Sequence, residues 1–136
     1  MGLMLLAMYM PPRPVILDTN LLLLPFQFKI NILKELAYLI ESSHYYLISS
    51  NTLGELEKLG KITGKNGMAA RLALKMIKNN NIKVVRSDMN VDDWIVNYAR
   101  DNNAVVCTND AALRKRLKSF GIKMIAMKSR SKLGFV

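Results

Sequence analysis

The sequence has little of what stabilises many small secreted or zinc-binding domains. Its 136 residues include one cysteine, Cys107, and one histidine, His44. An internal disulfide framework is therefore excluded, and so is a zinc site built on several cysteine ligands. This composition suits a reducing compartment, and we expect the protein to be cytoplasmic.

Long apolar runs are also missing. The opening MGLMLLAMYMPPRP is apolar over roughly ten residues, about half of what a spanning helix needs, and it ends at prolines. It lacks the early positive charge and the small-residue cleavage site of a signal peptide. We predict an N-terminal extension over residues 1–13, no membrane association, and a single domain with a basic C-terminal segment over residues 14–136.

Acidic residues are scarce, because ten Asp and Glu stand against twenty Lys and Arg. The net charge is −2 over residues 1–57, +5 over residues 58–109 and +7 over residues 110–136. A basic surface concentrated toward one end of the chain favours a polyanionic partner, with nucleic acid first and a membrane surface second. A merely solvated basic face would have the same charge, so charge alone does not decide between them.

Apolar runs of strand length alternate with segments of helical periodicity. Near-continuous apolar strands that alternate with helices are typical of an α/β fold with a parallel sheet covered on both faces. The predicted strands cover residues 14–20, 45–49, 82–87, 104–110 and 122–127, and the predicted helices cover residues 31–43, 51–59, 66–80, 91–103 and 111–121.

Four of the scarce acids fall near the carboxyl ends of these strands, where parallel sheets place their functional sites. Asp18 closes the first strand, Glu55 lies in the helix after the second, Asp92 opens the helix after the third, and Asp110 closes the fourth. Each also has a structural explanation, and for Asp92 it is an acid at a helix start favoured by the helix dipole. Asp18 could be a turn residue, Asp110 could be a helix N-cap, and Glu55 could form a Thr-x-x-Glu capping box with Thr52. Helical geometry does not choose between Glu55 and Glu57.

The pair Asp92 and Asp93 raises the question of which carboxylate faces the protein. At about 100° per residue, Asp92 falls within the stripe formed by Ile95, Val96 and Ala99, whereas Asp93 falls on the polar side. We therefore predict that Asp92 points inward and Asp93 toward water. An inward carboxylate needs an ion-pair partner or a metal, and a metal is the more natural partner where other acids are near.

Clustered carboxylates repel one another unless a divalent cation neutralises them. Oxygen-only ligands favour Mg²⁺ or Mn²⁺, as one or two ions, and such sites are well suited to phosphodiester hydrolysis. The helix after Asp110 could bind the substrate's phosphates through four basic residues, Arg114, Lys115, Arg116 and Lys118.

The motifs VILDTN, TLGEL, DDWIVNYA and VVCTND, in this order, resemble the PIN domain, a metal-dependent nuclease fold. The resemblance extends from Pro14 to about Ile125. It implies a three-layer αβα sandwich with a central parallel sheet. It also implies that Asp18, Glu55, Asp92 and Asp110 bind the metal, that Asn20 and Thr108 support the site, and that Asp93 is an extra acid found in part of the family. The segments DDxIV and TNDAALRKRLKSFGI look most like PIN proteins of ribosomal RNA processing, with VapC-type toxin ribonucleases as near relatives.

These observations predict a metal-dependent endoribonuclease that acts on structured or ribosomal RNA. A VapC-type toxin is the alternative within the family, with a neutralising antitoxin as its protein partner, and the resemblance also implies that a homodimer is common. An RNA-binding or assembly scaffold with little catalysis is the alternative from another class. Phosphatases of the haloacid dehalogenase type are disfavoured because the required second acid is replaced by Asn20, and no P-loop or Rossmann glycine pattern is present.

Overall fold

The computed structural model describes residues 11–136 and forms an α/β fold of six strands and seven helices within them. The strands are β1 (Arg13–Leu17), β2 (His44–Ser49), β3 (Lys83–Val85), β4 (Val105–Cys107), β5 (Met124–Ser129) and β6 (Lys132–Phe135). The helices are α1 (Thr19–Leu22), α2 (Leu24–Phe28), α3 (Ile32–Leu39), α4 (Ser50–Gly60), α5 (Lys65–Asn79), α6 (Val91–Asn102) and α7 (Ala111–Ser119). Of the predicted N-terminal extension, residues 1–10 lie outside the described part, and Arg13 already belongs to β1.

The strands form one sheet in the order β3-β2-β1-β4-β5-β6. All neighbouring pairs are parallel except β5 and β6, which are antiparallel. The chain leaves β1 toward β2 on one side and returns to β4 on the other, so the strand order reverses between β1 and β4. Leu17 pairs with Cys107 across this boundary, which puts Asp18 and Thr108 side by side just beyond the two strands. Ligand sites of open α/β sheets lie at such a switch point.

Two hydrophobic cores cover the two faces of the sheet, which confirms the predicted three-layer arrangement. Val15 and Leu17 of β1 face the core formed with α1 to α5. Ile16 faces the opposite core, which α6 and α7 complete with Ile95 and Leu117. This alternation follows from the period of two in a strand, and it explains why the buried strands read as continuous apolar runs.

The start of α4 decides whether Thr52 and Glu55 form a capping box, which the sequence left open. The N-cap of α4 is Ser49, whose Oγ accepts a hydrogen bond from the Thr52 backbone N–H at 3.1 Å. Thr52 is therefore the third residue inside the helix and is buried. The Thr52–Glu55 capping box is wrong, because the capping residue lies three positions earlier. Glu55 thus has no capping role in α4.

The structure differs from the sequence expectation after the first predicted strand and after the last one. The predicted first strand runs to residue 20, but β1 ends at Leu17, and α1 and α2 follow in a segment for which no helix was expected. The predicted last strand ends at residue 127, whereas β5 continues to Ser129 and turns back into β6. A Cβ at Gly134 would lie 2.7 Å from Cγ of Lys128, so a larger residue there would require the exposed Lys128 side chain to move. The basic C-terminal segment therefore ends in an antiparallel hairpin.

None of the helices within residues 11–136 has the length and apolar character required to cross a membrane.

Candidate active site at the carboxyl edge of the sheet

Asp18 lies directly after β1 and is almost completely buried, with 5% of its surface exposed. Its Oδ1 accepts a hydrogen bond from the Thr19 backbone N–H at 2.8 Å, and its Oδ2 accepts one from the Thr108 hydroxyl at 2.7 Å. The first bond is the local contact expected of a turn or capping aspartate. The second comes from the neighbouring strand and fixes the carboxylate at the switch point of the sheet.

Thr108 and Asp110 form the adjoining part of the site, at the end of β4. Thr108 is fully buried, and its Oγ1 accepts a hydrogen bond from the Asp110 backbone N–H at 3.0 Å. Asp110 is the N-cap of α7, where its Oδ1 accepts a bond from the Leu113 backbone N–H at 3.0 Å. The capping interpretation of Asp110 is thus confirmed, and it uses one of the two carboxylate oxygens.

Three hydroxyl groups form a hydrogen-bonded cluster that begins at Thr19, the residue after Asp18, and none of them was predicted as part of the site. The Oγ1 of Thr19 donates to Oγ1 of Thr52 at 3.4 Å, and Oγ of Ser49 donates to the same atom at 3.4 Å. Ser49 and Thr52 are both buried. The signal available in the sequence was the run SSNT, which places polar residues directly after the apolar strand β2.

The start of α6 corrects the prediction for Asp92 and Asp93. Asp92 is exposed and Asp93 is half-buried, so the inward orientation predicted for Asp92 is wrong. The reason is that Val91 and Trp94 are buried as well. They move the centre of the buried face away from Asp92, which is left at its border.

The carboxylate of Asp93 is hydrogen-bonded to two side chains and does not simply face water. Its Oδ1 accepts a hydrogen bond from Arg116 at 2.8 Å, and its Oδ2 accepts one from the side-chain amide of Asn90 at 2.8 Å. The bond from Arg116, followed by that from Asn90, lowers the pKa of Asp93 below its ordinary value. Asp93 is therefore ionised and paired at neutral pH.

The remaining aspartates interact as like charges. Burial raises the pKa of Asp18 above its ordinary value, and the negative charges of Asp92 and Asp110 raise it further, while the bonds from Thr108 and Thr19 oppose the rise. Although Asp92 is exposed, neighbouring atoms displace part of its hydration, and this effect, followed by the charge of Asp110, raises its pKa. These effects place Asp18, Asp92 and Asp110 in one electrostatic neighbourhood, although they come from three distant parts of the chain.

An open cavity of about 480 Å³ lies at this edge of the sheet. Six residues from α4, α6, the residue before α6, and α7 line it: Glu55, Asn90, Val91, Asp92, Asp93 and Arg116. Glu55 thus shares a cavity with Asp92. Glu57 is exposed on the same helix but is not part of the lining.

The acids do not form a closed ligand shell. Within residues 11–136, no three His, Cys, Asp or Glu side chains lie close enough together to hold a metal ion as they stand. In the same range, the ion pairs join Arg116 to Asp93 at 2.8 Å and Arg100 to Asp101 at 3.5 Å, so Asp18, Asp92 and Asp110 have no basic partner there. Their oxygen-only chemistry and mutual repulsion suit a hard divalent cation.

The other residues predicted for the site are more dispersed. Asn20 is exposed in α1. Of the basic residues on α7, Arg114 is half-buried, whereas Lys115, Arg116 and Lys118 are exposed. Arg116 lines the acidic cavity, and the other three do not.

Comparisons with known proteins agree with this architecture. The chain is 35% identical over 121 residues to ribonuclease VapC4 of Methanocaldococcus jannaschii, an alignment that covers 85% of this chain and 91% of that protein. It is 29% identical over 122 residues to the rRNA-processing protein FCF1 of Saccharomyces cerevisiae, which covers 86% of this chain and 61% of that protein.

A similar fold occurs in the solved structure of the PIN domain endonuclease Utp24, with a TM-score of 0.76 and 27% sequence identity. The superposition covers 93% of this chain and 92% of that one. The family model described as "PIN like domain" matches residues 15–130, which include Asp18, Glu55, Asp92 and Asp110. The chain therefore belongs to the PIN-like domain family.

Proposed function

We propose that this protein is a metal-dependent endoribonuclease that hydrolyses RNA phosphodiester bonds. The observation that carries the proposal is the buried carboxylate of Asp18 at the switch point of the sheet, which Thr108 links by hydrogen bonds to Asp110. Burial, and to a smaller extent the negative charges of Asp92 and Asp110, raise the pKa of Asp18. Such an arrangement costs stability unless a cation neutralises it. Relatives that bear the names of ribonucleases and of an rRNA-processing protein support the choice of RNA as the substrate.

In this proposal Asp18, Asp92 and Asp110 hold Mg²⁺ or Mn²⁺, and Glu55 completes the ligand shell or orients the attacking water. An ion held by these carboxylates would supply an activated water and would neutralise charge that develops on the attacked phosphate. Thr108 fixes the Asp18 carboxylate through its 2.7 Å hydrogen bond. Asn20, exposed in α1 two residues after Asp18, would support the site from that side.

Binding of the RNA backbone falls to the basic side of the molecule. Arg114, Lys115, Arg116 and Lys118 lie on α7, whose N-cap is the proposed ligand Asp110. A helix that begins at the site and carries four cations can hold the phosphates next to the scissile bond.

The single buried cysteine and the absence of a disulfide framework support a cytoplasmic location.

Ribosomal or structured RNA is the substrate that we favour. A VapC-type toxin ribonuclease is the second candidate, because the relative named VapC4 is 35% identical over 85% of this chain. A neutralising antitoxin would be the partner under that second candidate, and a homodimer is compatible with both. Incubation with precursor ribosomal RNA separates the two candidates, since cleavage of that RNA at discrete positions is expected of the first.

The experiment that tests catalysis uses a structured RNA with Mn²⁺, with and without EDTA. We expect the wild-type protein to cut it only with Mn²⁺, and Asp18→Asn and Asp92→Asn to abolish cutting. Asp101→Asn is the matched control, since Asp101 lies exposed on α6 and pairs with Arg100. Binding of RNA without cleavage by all forms would support the assembly scaffold and contradict the enzyme.

A further inference from the structure

A hydrogen-bonded chain of three side chains crosses from α6 to α7 within the acidic cavity. Asn90 donates to Asp93 Oδ2 at 2.8 Å, and Asp93 Oδ1 accepts from Arg116 at 2.8 Å. Asn90 Oδ1 also accepts from the Asp93 backbone N–H at 2.9 Å, as the N-cap of α6. Asp93 is thus fixed from two directions, and it fixes Arg116 in turn.

Arg116 keeps most of its hydrogen-bonding capacity in this position. A guanidinium carries five N–H donors, and Arg116 uses Nη2 for Asp93. The Arg116 side chain makes no other hydrogen bond to the described residues. Its side chain is 47% exposed, and its charge also lowers the pKa of Asp92, so it faces the cavity. A half-exposed, oriented guanidinium with free donors is well suited to bind phosphate in a bidentate manner.

The other three basic residues of α7 differ from Arg116 both in ion pairing and in position relative to the cavity. Arg114, Lys115 and Lys118 have no acidic partner in the described part of the chain and do not line the cavity. They can attract RNA by their charge, but within residues 11–136 no side-chain hydrogen bond or ion pair orients them. The other ion pair of α6, Arg100 with Asp101, is exposed and outside the cavity.

We propose that Asp93 is a positioning residue and not a metal ligand: it aims Arg116 into the cavity, where Arg116 binds an RNA phosphate next to the proposed catalytic acids. This inference rests on the proposed function for the identity of the substrate. It assigns distinct roles to the neighbouring aspartates, since Asp92 would act at the metal and Asp93 through the arginine. Asn90 would maintain the orientation of Asp93.

The first test measures the affinity of a short single-stranded RNA in EDTA, where no cleavage occurs, as a function of salt. We expect Arg116→Ala to weaken binding about threefold to tenfold and to reduce the slope of log K against log salt by about 0.7. Asp93→Asn should weaken binding as well, although it removes a negative charge. Asp101→Asn, which removes the same charge elsewhere on α6, should leave binding unchanged or strengthen it.

The double variant Asp93→Asn/Arg116→Ala should bind no more weakly than Arg116→Ala alone, because the aspartate acts through the arginine. Equal thermal unfolding temperatures for all variants would show that the fold is intact. Tighter binding by Asp93→Asn, as for a simple repelling acid, would overturn the proposal. So would wild-type affinity in Arg116→Ala.

Steady-state kinetics separate the two aspartates. We expect Asp93→Asn to raise KM with kcat largely kept, and Asp92→Asn to lower kcat. Loss of kcat and of Mn²⁺ affinity in Asp93→Asn would make Asp93 a metal ligand and contradict this inference. Absence of cleavage by the wild-type protein would instead contradict the proposed function, and the binding measurements in EDTA would still decide the role of Arg116.

Discussion

The hydroxyl of Thr108 joins Asp18 to the end of the neighbouring strand. It donates to Asp18 Oδ2 at 2.7 Å and accepts from the Asp110 backbone N–H at 3.0 Å. One buried hydroxyl thus sets the position of two proposed metal ligands relative to each other. Such supporting contacts matter because a ligand must be held in place before the metal arrives.

Replacement of this hydroxyl should affect both stability and activity. Thr108→Val keeps the shape but leaves Asp18 Oδ2 and the Asp110 N–H without their partner. We expect a loss of about 1–3 kcal/mol in the free energy of unfolding. Mn²⁺ affinity should fall about 10-fold to 100-fold, which titration with Mn²⁺ measures. Thr108→Ser keeps the hydroxyl and serves as the control; equal losses in both variants would show that the hydrogen bond is not responsible.

Glu55 and Glu57 form a matched pair on α4, since both are exposed and two residues apart. Glu55 lines the cavity with Asp92, whereas Glu57 does not. We therefore expect Glu55→Gln to lower the cleavage rate about 10-fold or more and Glu57→Gln to leave it within about twofold. Rates measured at saturating RNA and Mn²⁺ decide this, and the reverse order would assign the fourth position to Glu57.

The raised pKa values of Asp18 and Asp92 predict a specific effect of pH on stability. In the metal-free protein these groups hold their protons more tightly when folded than when unfolded. Folding stability should therefore fall as pH rises from the ordinary value of 3.8 through the raised values. Mn²⁺ binds the ionised carboxylates, so its stabilising effect should grow over the same range.

Thermal unfolding in EDTA and in Mn²⁺ between about pH 4 and about pH 7 measures both trends. Asp93 has the opposite effect on folding stability. Its pKa is lowered in the folded protein, so its ionised form stabilises the fold, and this stabilisation is lost as pH falls through the lowered pKa. Asp18→Asn should remove most of the Mn²⁺ effect. A Mn²⁺ stabilisation that is equal at both ends of the range would contradict the assignment of these carboxylates as ligands.

Much of the fold follows from the sequence because its signals are local. The buried strands are continuous apolar runs, and the amphipathic helices between them bury their apolar faces, so the parallel sheet and its carboxyl edge could be predicted. The position of Asp18 at that edge follows from the same pattern. Its hydrogen bond to Thr108 does not, because it depends on β1 and β4 being neighbours, and these strands are 90 residues apart in the chain at that contact.

The predictions that were wrong, and the features that were missed, have equally specific causes. The helical wheel for Asp92 omitted Val91 and Trp94, whose burial shifts the inner face of α6. The hairpin between β5 and β6 depends on a turn at Arg130 and Ser131 that the apolar periodicity does not reveal. The ion pair of Asp93 with Arg116 joins two helices and has no sequence signature. The short helices α1 and α2 were missed as well, since four and five residues are too few to show a helical period.

The most direct test is a calorimetric titration of the metal-free protein with Mn²⁺ near neutral pH. We predict saturable binding of one or two ions by the wild-type protein and by Asp101→Asn, and its loss in Asp18→Asn and Asp92→Asn. No binding by the wild-type protein, or undiminished binding by both site variants, would contradict the account.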